Sequence, residues 1–154
     1  NKWYKKSDGK LDGEKLIKNF QEFFREHSES WVERFQYKEA GPQLLLQAFL
    51  QRIVNGGGRI EREYGLGKKR TDLLILWPYS DGVQKIVIEC KILYKSKEKT
   101  IEEGIEQILE YMDKCASEEG FLIIFDRTPE KKWEEKIYYN KKIVNGNTIN
   151  IFGM

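Results

Sequence analysis

Two apolar runs rich in β-branched residues, Leu73 to Trp77 and Ile86 to Leu93, flank Pro78-Tyr79-Ser80-Asp81-Gly82, a cluster of turn formers. The pattern predicts strand, turn and strand. No other stretch constrains the fold as much, because a hairpin carries a register with it. With the turn centred between Ser80 and Asp81, antiparallel pairing sets Asp72 opposite Glu89, with Cβ atoms about 4.5–5.5 Å apart. Side chains alternate along a strand, so Val87, Glu89 and Lys91 share one face while Ile88, Cys90 and Ile92 point the other way. Asp72, Glu89 and Lys91 are thereby expected to converge.

Two carboxylates this close repel, and ionising both in an apolar sheet is costly unless a cation neutralises them or one takes up a proton. An all-oxygen donor set suits Mg²⁺ or Mn²⁺ rather than zinc, and Mg²⁺ keeps several waters on a site that offers one or two carboxylates. Lys91, two residues beyond Glu89 and on its face, is placed to orient an attacking water or to stabilise a charged phosphoryl group. The alternative is a salt bridge among the three on a solvated sheet face, and spacing alone leaves both readings open.

Asp72 followed by a strand that ends Ile88-Glu89-Cys90-Lys91 resembles the D…(D/E)xK signature of the PD-(D/E)XK, or restriction-endonuclease-like, nuclease superfamily. Gln107-Ile108-Leu109-Glu110-Tyr111 resembles the QxxxY element of its RecB-type exonuclease branch. The likeness runs from Pro42 to Arg127 in the order helix, three strands, helix, strand. It implies an α/β fold with a mixed central sheet flanked by helices, and Mg²⁺-dependent cleavage of phosphodiesters, usually in DNA, with Mn²⁺ a plausible substitute. The resemblance also implies roles: Asp72 and Glu89 hold the metal with the Cys90 carbonyl as a third ligand, Lys91 positions or activates water, Gln107 orients water or substrate, and Tyr111 contacts nucleic acid. Many members supply a further Glu from the first core helix, where this chain has Gln43 and Gln47, so the site is one carboxylate lighter. Glu61 and Glu63 are candidates to replace it, or else pair at the surface with Arg59, Arg62 or Lys68. The tail from Phe121, with Phe125-Asp126-Arg127 and the closing Ile151-Phe152-Gly153-Met154, resembles nuclease-like domains at the C-terminus of prokaryotic AAA-type ATPases, which implies a covalently linked ATPase domain as a partner.

At 154 residues, 40% hydrophobic and 34% charged, the chain is expected to form one globular domain with a real core. A net charge of +2 is too small to announce a nucleic-acid binder, so any electrostatic footprint must be local. Lys68, Lys69 and Arg70 precede Asp72, and Lys91, Lys95, Lys97 and Lys99 follow Glu89, so both arms of the hairpin are basic at one end. Such a cluster attracts phosphates, although lysine-rich surface loops are also ordinary. Asn55-Gly56-Gly57-Gly58 is no phosphate-binding loop, since no Gly-Lys-Ser/Thr follows. Cys90 and Cys115 lack zinc-site spacing and no apolar run is long enough to span a membrane, so a reducing cytoplasm without a membrane partner is expected. The start at Asn1 rather than Met suggests part of a longer protein.

Residues 1–40 read as a helical lead-in packed on a core formed by residues 41–154. Asn1 to Lys10 is expected to be loosely held, with Trp3 and Tyr4 as anchors. Leu11 to His27 has the apolar period of a helix with Asp12 as its N-cap, ending at His27 before an exposed Ser28-Glu29-Ser30 turn. Trp31, Phe35 and Tyr37 then belong to a short helix or connection. Gly41-Pro42 opens a second helix with Leu45, Ala48, Phe49, Arg52 and Ile53 at helical steps, and Arg59 to Tyr64 follows as the first core strand. Thr100 and Glu103 form a capping box ahead of a helix striped by Ile101, Ile105, Ile108, Leu109 and Met112, on which Gln107 and Tyr111 share a face and Gly104 permits close approach by a backbone or ligand. Phe121 to Phe125 reads as a buried central strand, and Lys136 to Val144 with Thr148 to Phe152 as strands about an Asn145-Gly146-Asn147 turn that extend the sheet edge. The functional expectation is a nuclease. The runner-up is a catalytically silent nucleic-acid-binding or regulatory domain of a larger ATPase, and a purely structural partner domain is a third reading.

Overall fold

The computed structural model describes residues 2–35, 41–64, 70–117 and 119–154, with the side chains of 29–35, 63–64 and 70–71 outside that description. Two helices, α1 (Gly13–Phe35) and α2 (Gly41–Val54), precede strands β1 (Arg59–Tyr64), β2 (Arg70–Tyr79) and β3 (Gly82–Ile92). Helix α3 (Lys97–Cys115), strand β4 (Glu119–Phe125), the short helix α4 (Trp133–Lys136) and strands β5 (Tyr138–Val144) and β6 (Asn147–Gly153) complete the chain. The strands form one six-stranded sheet in the order β1-β2-β3-β4-β6-β5. β1, β2 and β3 are antiparallel, β3, β4 and β6 run parallel, and β5 returns antiparallel on β6. The protein is thus α/β with a mixed sheet between helices.

The central hairpin has the expected register, Asp72 paired with Glu89 and Tyr79 with Gly82. Its turn is tighter than expected, because Pro78 and Tyr79 belong to β2 and only Ser80 and Asp81 lie outside the ladder. Proline is tolerated there because β1 pairs no further along β2 than Leu76, so the missing N–H removes no bond on that side.

Each face of the sheet buries its own cluster. One face carries Leu73, Ile75, Trp77, Ile86, Ile88, Cys90, Phe121, Ile123 and Phe125 against Leu16, Ile17, Phe20 and Phe24 of α1 and Leu46, Leu50 and Val54 of α2. The other carries Leu74, Val87, Leu122, Ile124, Ile149 and Ile151 against Ile108, Tyr111 and Met112 of α3. Full burial of each large aliphatic or aromatic side chain contributes about 1.5–3 kcal/mol. Both clusters follow from the period-2 alternation of the strands, but the sides on which the helices sit do not.

Several local expectations are corrected. α1 does not stop at His27 but continues through Ser28 to Phe35, and Ser28 is buried rather than in an exposed turn. No glycine or proline interrupts that stretch, and Ser and Glu cost a helix only a few tenths of a kcal/mol each, roughly. Asp12 does cap α1, its Oδ1 accepting from the Lys15 backbone N–H at 3.1 Å. The lead-in is not loose: Asp12 N donates to Tyr4 O at 2.7 Å, Trp77 Nε1 donates to Gly9 O at 2.9 Å, and Leu11 is fully buried. On α2 the fully buried stripe is Leu46, Leu50 and Val54, one step round from the expected one, with Leu45, Phe49 and Ile53 flanking it. α3 begins a turn before Thr100, with Ser96 as N-cap accepting from Lys99 N at 3.1 Å; the Thr100 hydroxyl instead faces the Tyr94 and Ser96 carbonyls. The strands β6 and β5 do extend the sheet beyond β4, as expected: β6, with its buried Ile149-Asn150-Ile151-Phe152 run, is interior, and the largely exposed β5 forms the edge opposite β1. Among the described residues no helix is long and apolar enough to cross a membrane.

Candidate metal centre

Asp72 on β2 and Glu89 and Lys91 on β3 lie on the α3 face of the sheet, since they alternate with residues of the opposite cluster. The three are 1%, 0% and 5% exposed, so the reading as a solvated surface salt bridge does not describe them. Their burial follows from position: Glu89 pairs with Leu122 of β4 in the middle of the sheet, and α3 roofs that face. Two ionised carboxylates in such a setting require compensation. Burial, then the charges of Glu89 and Asp72, push the Cys90 thiol far up, while Arg62 acts in the opposite sense.

Helix α3 answers Lys91 directly. The Lys91 ammonium donates to Gln107 Oε1 at 2.9 Å and lies 3.7 Å from Glu103 Oε2. Glu103 and Gln107 are one helical turn apart, so both reach the same point over β3. The Lys91 Nζ is also 5.6 Å from the Tyr94 ring centroid. The buried lysine is thus held by a neutral acceptor, a carboxylate and an aromatic ring.

The remaining expected site residues fall into different places. Tyr111 is only 7% exposed and belongs to the apolar cluster between α3 and the sheet, so it packs the helix and offers little surface to a nucleic acid. Gln107 meets Lys91, its Oε1 accepting from the Lys91 ammonium. The Cys90 side chain lies in the cluster on the far face, leaving its main-chain carbonyl as the only route by which it can serve a metal. Lys95 is exposed, with its Nζ 5.5 Å from the Tyr94 ring. Lys68 and Lys69 lie outside the described residues, and Arg70 is described by its backbone, which pairs with Lys91. Gln43 extends the stripe of Leu46 and Leu50, which packs on the sheet face away from Asp72 and Glu89. Gln47 is half-buried, and Glu61 is an exposed partner of Arg59 at 3.3 Å. Glu63 occupies the β1 position paired with Asp72, which continues the Asp72–Glu89 row onto a third strand.

Glu103 is the site residue that sequence reasoning missed, because its spacing from Thr100 suggested a cap. Its spacing from Gln107 was the available signal. The donor set fits a hard cation, being two carboxylates from adjacent strands in one register pair. Among the described residues no group of three or more His, Cys, Asp or Glu is arranged to hold a metal, so waters or substrate oxygens would have to supply the balance. No protein-family model matches the chain, and no curated protein matches it.

Proposed function

We propose that this chain is a divalent-metal-dependent nuclease of restriction-endonuclease-like architecture that hydrolyses phosphodiester bonds, with DNA as its substrate. The observation that carries the reading is the buried Asp72–Glu89 register pair with Lys91 on the same sheet face. Asp72 and Glu89 would hold Mg²⁺ or Mn²⁺, which supplies Lewis acidity toward the phosphodiester and its attacking water. Lys91 places a fixed positive charge beside that position, where it orients the nucleophile and stabilises charge that develops on the phosphoryl oxygens. Gln107 holds the Lys91 ammonium in place. Lys95, Lys97 and Lys99 are exposed on the segment that follows β3 and draw the phosphate backbone toward this end of the sheet.

The size of the donor set favours one second reading, a nucleic-acid-binding or regulatory module that keeps the fold without turnover. Cleavage of labelled single- and double-stranded DNA in Mg²⁺, Mn²⁺ or EDTA separates the two. The nuclease reading expects metal-dependent products that fall to background in Asp72→Ala and Lys91→Ala. In parallel, Mn²⁺ should raise the melting temperature of the wild type but not of Asp72→Ala. Salt-sensitive DNA binding by all three proteins with no product from any of them would replace the nuclease with the binding module.

A further inference from the structure

Strand β3 ends at Ile92, immediately after Lys91, and the chain crosses to α3 through Leu93, Tyr94, Lys95 and Ser96. Open α/β sheets gather ligands beyond the carboxyl ends of their strands. This connection lies on the side of Asp72 and Glu89, because its backbone is tied to α3. The Tyr94 N–H donates to Thr100 Oγ1 at 3.4 Å, and the Thr100 hydroxyl donates to Tyr94 O at 2.7 Å. Thr100 is fully buried, so the tie is shielded from water. One residue earlier, Leu93 N donates to Phe125 O at 2.8 Å. Tyr94 is thus set on a support fixed from both sides.

Unlike Tyr111, Tyr94 is 40% exposed. Half-covered tyrosines keep the apolar body of the ring on the protein and the hydroxyl in water. Among the described residues the Tyr94 hydroxyl makes no hydrogen bond. Two ammonium groups flank the ring, Lys91 Nζ at 5.6 Å and Lys95 Nζ at 5.5 Å from its centroid. Lys91 is buried and answers Glu103 and Gln107. Lys95 is exposed and, among the described residues, pairs with no carboxylate. Glu98 and Glu102, the exposed acids on the first turns of α3, form no ion pair with it.

An exposed phenol beside an ammonium without a carboxylate is a donor pair for an anionic oxygen. Tyrosine hydroxyls and lysine ammonium groups are regular donors to the phosphates and sugars that fix a protein's register on DNA. Lys91 and Lys95 both stand within reach of one ring, so a few phosphates of a single strand, at about 3.4 Å per step along the axis, cover the span between them. With Lys91 at the scissile phosphodiester in the nuclease reading, Tyr94 and Lys95 fall on a neighbouring one. Such a contact uses the tip of the phenol rather than a ring face, so the flanking lysines do not obstruct it.

We infer that Tyr94 and Lys95 bind the phosphodiester next to the one being cut, the Tyr94 hydroxyl and the Lys95 ammonium both donating to its oxygens. This rests on the nuclease reading for its purpose, while its binding test is independent of cleavage. The probes are fluorescein-labelled single- and double-stranded DNA of one sequence, with anisotropy followed in EDTA across a salt series. On the form that the wild type binds more tightly, Tyr94→Phe should weaken binding about tenfold without changing the slope of log affinity against log salt. Lys95→Ala should lower that slope by about one. Tyr94→Phe removes one oxygen from an exposed side chain, and Lys95→Ala keeps a Cβ at a residue whose φ is 54°, so both variants should melt with the wild type. Val83 is 52% exposed near the start of β3, far from this connection, and Val83→Ser should bind as the wild type does. In Mg²⁺, Tyr94→Phe should raise KM for cleavage at nearly unchanged kcat. Wild-type affinity in Tyr94→Phe, an unchanged salt slope in Lys95→Ala, an equal loss in Val83→Ser, or a wild type that binds neither form overturns the contact. So does a fall in kcat at constant KM, which would make Tyr94 act through Lys91 rather than on the DNA. If the variants lose binding as expected while the wild type cuts nothing in Mg²⁺, the nuclease reading falls and the phosphate contact stands. If the wild type cuts and neither variant binds differently, the contact falls alone.

Discussion

Lys91 illustrates how much of a site is decided by a single side chain's neighbours. On β3 alone it is a lysine two residues after a glutamate; under α3 its ammonium is held between Gln107 Oε1 at 2.9 Å and Glu103 Oε2 at 3.7 Å. Replacing Gln107 with Leu removes a hydrogen bond to a charged group, worth about 1.5–3 kcal/mol. In the nuclease reading, single-turnover cleavage by Gln107→Leu is expected to slow by about tenfold or more, with KM little changed. A rise in KM at unchanged kcat would assign Gln107 to substrate binding. Asp126 makes a second prediction. Burial pushes its carboxyl up, but hydrogen bonds from Lys131 and Thr128 outweigh that and hold it below its ordinary value. A depressed carboxyl contributes stability above its unfolded pKa of about 3.9, and that stability is lost as pH falls through the folded value. Asp126→Asn is therefore expected to cost about 1.5–3 kcal/mol at neutral pH, while the two melting temperatures converge in acid below the folded value. A constant gap across the titration would show that the charge of Asp126 is not what it contributes.

At the scale of the element, α3 sets the spacing between Lys91 and its partners. The helix lies close on the sheet because Gly104 has no side chain: a Cβ there would sit 2.7 Å from Leu122 Cδ1. The expectation that Gly104 admits a backbone or ligand is resolved in favour of packing by strand β4. Gly104→Val is expected to push α3 outward and to destabilise by about 1–3 kcal/mol, read from the urea midpoint. Gln107 is three residues further on, so in the nuclease reading cleavage should fall along with stability. Full activity in a destabilised Gly104→Val would mean that Lys91 does not depend on the helix position. The αL residue Ala116 ends α3, with Ser117 N donating to Met112 O at 2.9 Å. No glycine marks that stop, which is why the end of the helix was less legible than its stripe. The Asn145-Gly146 turn between β5 and β6 was legible, since both residues have positive φ, 51° and 82°, as a two-residue hairpin turn demands.

At the scale of the molecule, residues 1–40 and 41–154 share one core as far as they are described. Phe20 and Phe24 of α1 pack with Leu50 of α2 and with Phe121 and Phe125 of β4 in a single cluster. Unfolding followed by far-ultraviolet circular dichroism and by tryptophan fluorescence is accordingly expected to give coincident transitions, and Leu11→Ala, at a fully buried position, to cost about 2–5 kcal/mol. Two separated transitions would make the N-terminal segment an independent unit. What the sequence determined by itself was local: the hairpin turn, the two-residue alternation and hence the pairing of Asp72 with Glu89 and the common face of Glu89 and Lys91. These follow from backbone chemistry within about twenty residues, where turn type and period leave little choice. The tertiary structure alone decided that α3 roofs that face, that Glu103 joins Gln107 at Lys91, that Tyr111 is packing, and that β6 enters beside β4. Each of these depends on which distant surfaces bury one another, and many placements satisfy the same local pattern until the whole core closes.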